Sequence, residues 1–184
     1  MQELSKDILI KASQGDMQAF EEVYKASSSF VYNVALRVIG NREDALEVSQ
    51  EVFMTIYHKL KDFRFESSFK TWVYRITANS SINAAKKNSR TKAVPFEESL
   101  GQGIQEADVQ TQMDQEHRHQ VLESLLGELN LDQKACVVLR DIQGLSYEEI
   151  ALALNININT VRSRLKRARE KLLSIGKKVY YEKV

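Results

Sequence analysis

The 184-residue chain carries 26 basic and 25 acidic side chains, 43% hydrophobic residues, one proline and one cysteine. That apolar fraction supports packed cores and excludes a disordered chain, and the lone Cys136 excludes a disulfide framework or thiolate metal site within one chain. The net charge of +1 hides blocks of opposite sign: residues 1–60 carry net −3, 61–92 net +6, 93–160 net −9 and 161–184 net +7. Two separate basic blocks suit two nucleic-acid contacts, and the acidic blocks suit a basic protein partner. No stretch approaches the roughly 18 apolar residues of a membrane span, and the N-terminus lacks a signal-peptide apolar run, so a soluble cytoplasmic chain is expected.

Apolar residues recur at three- and four-residue steps almost throughout, which predicts an all-α fold; 155–161 is the only strand candidate. Leu4, Ile8, Leu9 and Ala12 describe a first amphipathic helix. After the Gly15-Asp16 break, Ala19, Phe20, Val23, Tyr24, Val31, Val34, Ala35 and Val38 describe a second, with Ser27, Ser28 and Ser29 as a point of irregularity. Gly40-Asn41 ends that helix and starts another, whose core side is Ala45, Val48, Val52, Ile56 and Leu60. Its acidic groups, Glu43, Asp44, Glu47 and Glu51, admit two readings: compensation of the helix dipole, or an acidic docking face.

In 61–92, Phe63, Phe65, Phe69, Trp72 and Tyr74 interleave with Arg64, Lys70 and Arg75, a mixture that suits stacked bases and their phosphates or, equally, a hydrophobic core. A helix over about 68–87 puts Phe69, Trp72 and Ile76 on one stripe, which Asn79 and Asn83 continue at the same spacing. Amides where apolar groups are due must find polar partners, and base edges are one such partner. Lys86, Lys87, Arg90 and Lys92 follow as backbone-holding charges.

From Ala93 the composition turns acidic and poor in large apolar residues. The chain therefore divides into helical domains at 1–92 and 114–184, joined by a flexible acidic linker at 93–113. In the second domain Val121, Leu122, Leu125, Leu126 and Leu129 form one apolar pattern, and Ala135, Val138, Leu139 and Ile142 the next. Ser146 with Glu149 is a capping box that starts a helix at Tyr147, burying Ile150, Ala151 and Leu154. An asparagine-rich break follows, and Asn159 or Thr160 can cap a final helix with Val161, Leu165, Ala168 and Leu172 on its apolar stripe. Its other faces are basic. This is a helix-turn-helix, which sets the second helix in a DNA major groove; the alternative is a solvated helix closing a bundle. His117 and His119 point to different helix faces, so no metal is expected there. Without a phosphate-binding glycine loop, nucleophile elbow or histidine-rich metal motif, the chain is read as no enzyme, with no cofactor, metal or small-molecule substrate.

Four motifs then carry a resemblance. Gly15-Asp16 with Ala19-Phe20, Asp44-Ala45 through Gln50-Glu51-Val52-Phe53, Phe69-Lys70-Thr71-Trp72-Val73-Tyr74-Arg75-Ile76, and Gly144-Leu145-Ser146-Tyr147-Glu148-Glu149-Ile150-Ala151 with Thr160-Val161-Arg162-Ser163-Arg164 together resemble bacterial sigma factors of the extracytoplasmic-function group. The resemblance implies a promoter-specificity subunit of RNA polymerase. Asp44, Glu47, Gln50 and Glu51 would face the clamp helices of the largest polymerase subunit. The loop 62–68 and the helix after it would melt the minus-ten element and hold a flipped base, through Phe63, Arg64, Phe65, Lys70, Trp72, Arg75, Asn79, Asn83, Lys86 and Lys87. The last helix would read the minus-thirty-five element. Ser163, Lys166 and Arg167 would face bases, Arg162, Arg164, Arg169 and Lys171 phosphate, with Thr160 at the helix start.

The implied partners are core polymerase, promoter DNA and an anti-sigma factor, commonly membrane-linked. The sequence departs from the family pattern at Ser27, Leu46, Asn130 and Asn159. The competing readings are a stand-alone helix-turn-helix regulator and an enzyme acting on nucleic acid. The first leaves the aromatic block and the second basic patch unexplained, and the second lacks converging metal-binding carboxylates or a nucleophile.

Overall fold

The computed structural model describes residues 4–91 and 120–181, with side chains at 4–88 and 120–176. Eight helices are described: α1 (Lys6–Ser13), α2 (Met17–Ile39), α3 (Arg42–Lys59), α4 (Phe69–Thr91), α5 (120–127), α6 (Leu131–Val137), α7 (Tyr147–Leu154) and α8 (Ile158–Tyr181). No strand occurs among the described residues, and none of their helices is long and apolar enough to cross a membrane. The linker and the His117-His119 tract lie outside the described residues.

Local signals set the boundaries. Asp16 caps α2 by accepting from the Gln18 and Ala19 amides at 2.9 and 3.0 Å, Gly40 ends it in the left-handed region at φ 81°, and Asn41 caps α3. Helix α2 runs unbroken through the serines expected to disturb it. The buried Ser27 hydroxyl donates back to the Val23 carbonyl, so the helix satisfies its polar group internally. Asn130 supplies a full capping box for α6 with Gln133.

In the N-terminal half, α2, α3 and α4 pack mutually, burying Val23, Val31, Val34, Val52, Ile56, Val73 and Ala78, with Leu60 below them on a single 3-10 turn rather than on α3. Helix α4 is rotated from its expected stripe. Val73, Tyr74, Thr77, Ala78 and Ser81 are the deeply buried positions, while Trp72, Ile76 and Asn79 sit at the margin and Asn83 is exposed. The buried face holds small hydroxyl residues, whose side chains bond back to carbonyls at 2.9 Å (Thr77 to Val73) and 2.8 Å (Ser81 to Thr77). Size and internal satisfaction decide which face goes inside, and hydropathy spacing alone misses this.

In the C-terminal half, α6, α7 and α8 bury Ala135, Cys136, Leu139, Ile150, Leu154, Val161, Leu165 and Ala168. Ala153 is buried where Ala151 was expected; Ala151 is only half-buried. After α6 one π-helical turn, Val138–Ile142, leads to Gly144 at φ 75°, and the Arg140 guanidinium closes the corner on the Leu145 carbonyl at 2.6 Å. The two halves meet where α4 packs against α7 and α6, and α2 against α6 and the π turn, so that buried residues of both form one continuous core.

Candidate nucleic-acid and protein interfaces

The helix-turn-helix is built as its motif predicts at the start of α7. Ser146 accepts from the Glu149 amide at 3.1 Å, and a Glu149 carboxylate oxygen accepts from the Ser146 amide at 2.8 Å. Asn155 ends α7 in the left-handed conformation, φ 51°, which asparagine tolerates. The cap of α8 differs from the expectation of Asn159 or Thr160. Asn157 supplies it, its side-chain oxygen accepting from the Asn159 amide at 2.8 Å.

The apolar stripe of α8 faces inward at Val161, Leu165 and Ala168. Its cations divide by partner. Arg164 reaches Asp132 at 2.8 Å, Arg169 reaches Asp141 at 2.7 Å, and the Lys171 ammonium bonds the Glu128 carbonyl. Arg162 donates to Asn159 at 3.0 Å, and Lys166 lies 3.9 Å from Glu170 on the surface. Ser163 and Arg167 are exposed; Ser163 donates to the Thr160 carbonyl, and Arg167 has no ion pair among the described residues. The outward face is thus Arg162, Ser163, Lys166 and Arg167, whereas Arg164, Arg169 and Lys171 are turned to the flanks by acids of the same half. Sequence spacing offers no signal for those acidic partners, which come from 28 to 43 residues away.

The aromatic block divides in the same manner. Phe63, Phe69 and Trp72 stack on one another with centroids 5.2 to 5.9 Å apart, and Phe69 is buried. These rings form a side core that carries the loop above it. Phe65 is the exposed ring, 41% accessible, 4.7 Å from Phe63 and held at φ 56°. A non-glycine residue in that region is strained, and the Lys6 ammonium 5.0 Å from its ring ties it to α1. Arg64, Lys70, Arg75, Asn83, Lys86 and Lys87 are exposed along α4 and its preceding loop. Asn79 instead donates to the Ala153 carbonyl of α7 at 3.3 Å.

On α3, Glu47, Gln50 and Glu51 are exposed, while Asp44 is half-buried and accepts from Asn88 of α4 at 2.8 Å. Beside them lies an apolar groove of about 760 Å³ between α2 and α3, lined by Met17, Phe20, Tyr24, Leu46, Phe53 and Tyr57 among others, with Gln50 on it. Sequence reasoning missed this groove because its residues come from two helices. Its signal is legible in retrospect: Met17, Tyr24, Leu46, Met54 and Tyr57 are large apolar residues left 43–64% exposed.

Burial pushes the Cys136 thiol up to about 11, so it packs as a small apolar group. Tyr74 is pushed up to about 12 by burial and then by the nearby Glu149 carboxylate.

Comparisons with known proteins agree on both halves. Sigma-70 region 2 matches residues 23–91, and sigma-70 region 4 matches residues 119–172. The chain is 32% identical over 170 residues to the ECF RNA polymerase sigma-E factor of Haemophilus influenzae, covering 87% of this chain and 88% of that one. To the sigma-E factor of Escherichia coli K12 it is 32% identical over 178 residues, covering 92% and 93%. It also matches the ECF RNA polymerase sigma factor SigE of Mycolicibacterium smegmatis, 31% identical over 160 residues, and spans 62% of that protein's length. The fold matches CnrH, solved with the cytosolic domain of CnrY, at TM-score 0.69 and 23% identity over 91% of this chain and 94% of the other. It matches RpoE of Bartonella quintana, solved with the anti-sigma factor NepR, at TM-score 0.67 and 23% identity over 86% and 96%.

Proposed function

This chain belongs to the extracytoplasmic-function sigma factors, and from that premise we propose that it binds core RNA polymerase, reads two promoter elements with two domains, and melts DNA by capturing a base. The observation that carries this reading is the pair of separate exposed polar and basic surfaces, one on α8 and one on α4 with its loop. A stand-alone regulator needs only the first.

The domains are 1–92 for polymerase and the minus-ten element and 114–184 for the minus-thirty-five element, with 93–113 between them. In the second domain Ser163, Lys166 and Arg167 meet base edges and Arg162 meets phosphate, since these project from the outward face of α8. Arg164, Arg169 and Lys171 hold α8 onto α6, the π turn and Glu128 just after α5, and through that packing set how deeply the helix enters the groove. In the first domain Phe65 is the ring placed to stack on an unpaired base, Phe63, Phe69 and Trp72 support it, and Asn83 and Asn79 read bases beside the Arg64, Lys70, Arg75, Lys86 and Lys87 charges.

Glu47, Gln50 and Glu51, with the apolar groove behind Gln50, form the polymerase face. The acidic rim suits a basic partner surface, and the groove supplies the buried apolar centre that such an interface needs. Control by an anti-sigma factor is part of this proposal, supported by one fold relative, RpoE of Bartonella quintana, which was solved with the anti-sigma factor NepR. The decisive experiment is transcription with purified core polymerase on promoter fragments of the source genome. A promoter-specific transcript that depends on this chain is expected; duplex binding without any transcript would mean an ordinary regulator.

A further inference from the structure

The exposed ring of the 62–68 loop is held by a residue that no motif marks. Phe65 stands at φ 56°, a left-handed backbone that a bulky side chain adopts only under constraint, and such a conformation persists where the surroundings over-determine it. The backbone of its own loop does not supply that constraint. Among the described residues, no backbone–backbone hydrogen bond joins Arg64, Phe65, Glu66 or Ser67 to the rest of the chain. Side-chain contact does the holding instead. Within the loop the Phe63 ring lies 4.7 Å away, tilted by 53°. From outside it the Lys6 ammonium stands over the Phe65 ring, 5.0 Å from its centroid, within the range of a cation–π contact.

Lys6 is well anchored for this contact. It is the first residue of α1, next to the Ser5 cap, whose hydroxyl accepts from the Ile8 amide at 3.3 Å, and Leu9 and Ala12 bury the helix against the core. Helix α1 also packs beside the 3-10 turn Leu60–Asp62 that leads into the loop. A cation in the first turn of a helix opposes the helix dipole, so nothing local favours lysine at this position. The neighbouring Asp7 is paired with Lys11 at 2.8 Å, and Lys6 has no ion pair among the described residues. Phe65 is the partner that the fold gives it.

We propose that Lys6 is a positioning residue for base capture, pinning the Phe65 ring in the orientation that stacks on an unpaired base of the minus-ten element; the inference rests on the function proposed above. The physical reason is entropy. A ring on a loop without backbone bonds would sample many orientations, and its ordering would fall to the DNA-binding step, whereas a ring already held meets the base without that loss. The cation takes only part of the ring surface. Phe65 stays 41% accessible, which leaves room for a base to stack.

The test uses the full chain with core polymerase on a promoter fragment that carries a fluorescent purine analogue in its minus-ten element, so that unstacking reports opening. Lys6→Gln is expected to open this promoter about fivefold more slowly, the loss of one cation–π contact. Affinity for core polymerase and the melting temperature should stay unchanged, because Lys6 is exposed and outside the core. Lys6→Arg keeps a cation over the ring and should restore the parent rate. In a Phe65→Leu background Lys6→Gln should add nothing, since the ring through which it acts is gone. The free chain gives a reading that needs no polymerase: chymotrypsin cleavage after Phe65, located by mass spectrometry, should rise severalfold in Lys6→Gln and not in Lys6→Arg. A Lys6→Gln chain that matches the parent in either cleavage or opening overturns the role of Lys6 and leaves the sigma reading standing. So does a Lys6→Gln defect that persists in the Phe65→Leu background or that Lys6→Arg fails to restore. A parent chain that opens no promoter with core polymerase overturns the sigma reading, and the role of Lys6 in base capture with it.

Discussion

Helices α4 and α8 are near equals in sequence, each more than twenty residues long, rich in basic groups and expected to meet DNA, yet they spend their polar residues differently. On α8 the flanking cations are bound by acids of the same half, which leaves a clean outward face. On α4 the polar groups divide between internal back-bonds, the other half of the chain and solvent. Charge on a helix is therefore a poor guide to function until its partners are known, because a cation that has a carboxylate at 2.8 Å is first a packing device.

The sharpest way to break this comparison is to remove the buried side of α8. Leu165→Ala, at a position 1% exposed, should cost about 2–5 kcal/mol and abolish minus-thirty-five binding together with stability, measured by urea unfolding and duplex titration. A melting curve unchanged by that substitution would show that α8 is not held by its stripe. Alkali tests the corresponding side of α4. Tyr74 is pushed up to about 12 from an ordinary value of 10, so the folded state keeps the proton that the unfolded state gives up. Its contribution is complete below pH 10 and is lost as pH rises from 10 to about 12, on the order of 2–3 kcal/mol. Unfolding free energy followed over that range should fall, and Tyr74→Phe should flatten the fall.

Arg167→Ala and Asn83→Ala alter exposed residues, one on each helix. The first should weaken minus-thirty-five duplex affinity by about 1–3 kcal/mol and the second should slow open-complex formation, while both leave thermal stability within about 0.5 kcal/mol. Arg164→Ala should do the reverse, losing up to about 1 kcal/mol of stability because Asp132 loses its partner, with a smaller effect on DNA affinity than Arg167→Ala. If Arg164→Ala instead costs more affinity than stability, the division of α8 into outward and flanking cations is wrong. Arg169→Ala, its ion pair with Asp141 nearly half exposed, should show the smallest change of all.

Much of this was legible in advance, and unevenly. The Ser146–Glu149 capping box and the apolar stripe of α8 were readable because they depend on neighbours within four residues. The division at the acidic segment stands as an expectation, since that segment lies outside the described residues. The π turn after α6, the rotation of α4 and the apolar groove were not readable. The groove needs two helices to exist, and the rotation is decided by side-chain volume and by hydroxyls that satisfy themselves against their own helix.

What the sequence determined by itself is the set of helices, the Ser146–Glu149 capping box and the family motifs in order, since each is a local pattern of three- and four-residue spacing. Tertiary structure decided which cations have partners, which of the aromatic rings remains exposed, and that Asn79 belongs to an interface between halves. Those outcomes depend on residues tens of positions apart meeting in space, where a carboxylate or an open carbonyl settles what a side chain can do. A linear pattern names the donors; only packing supplies their acceptors.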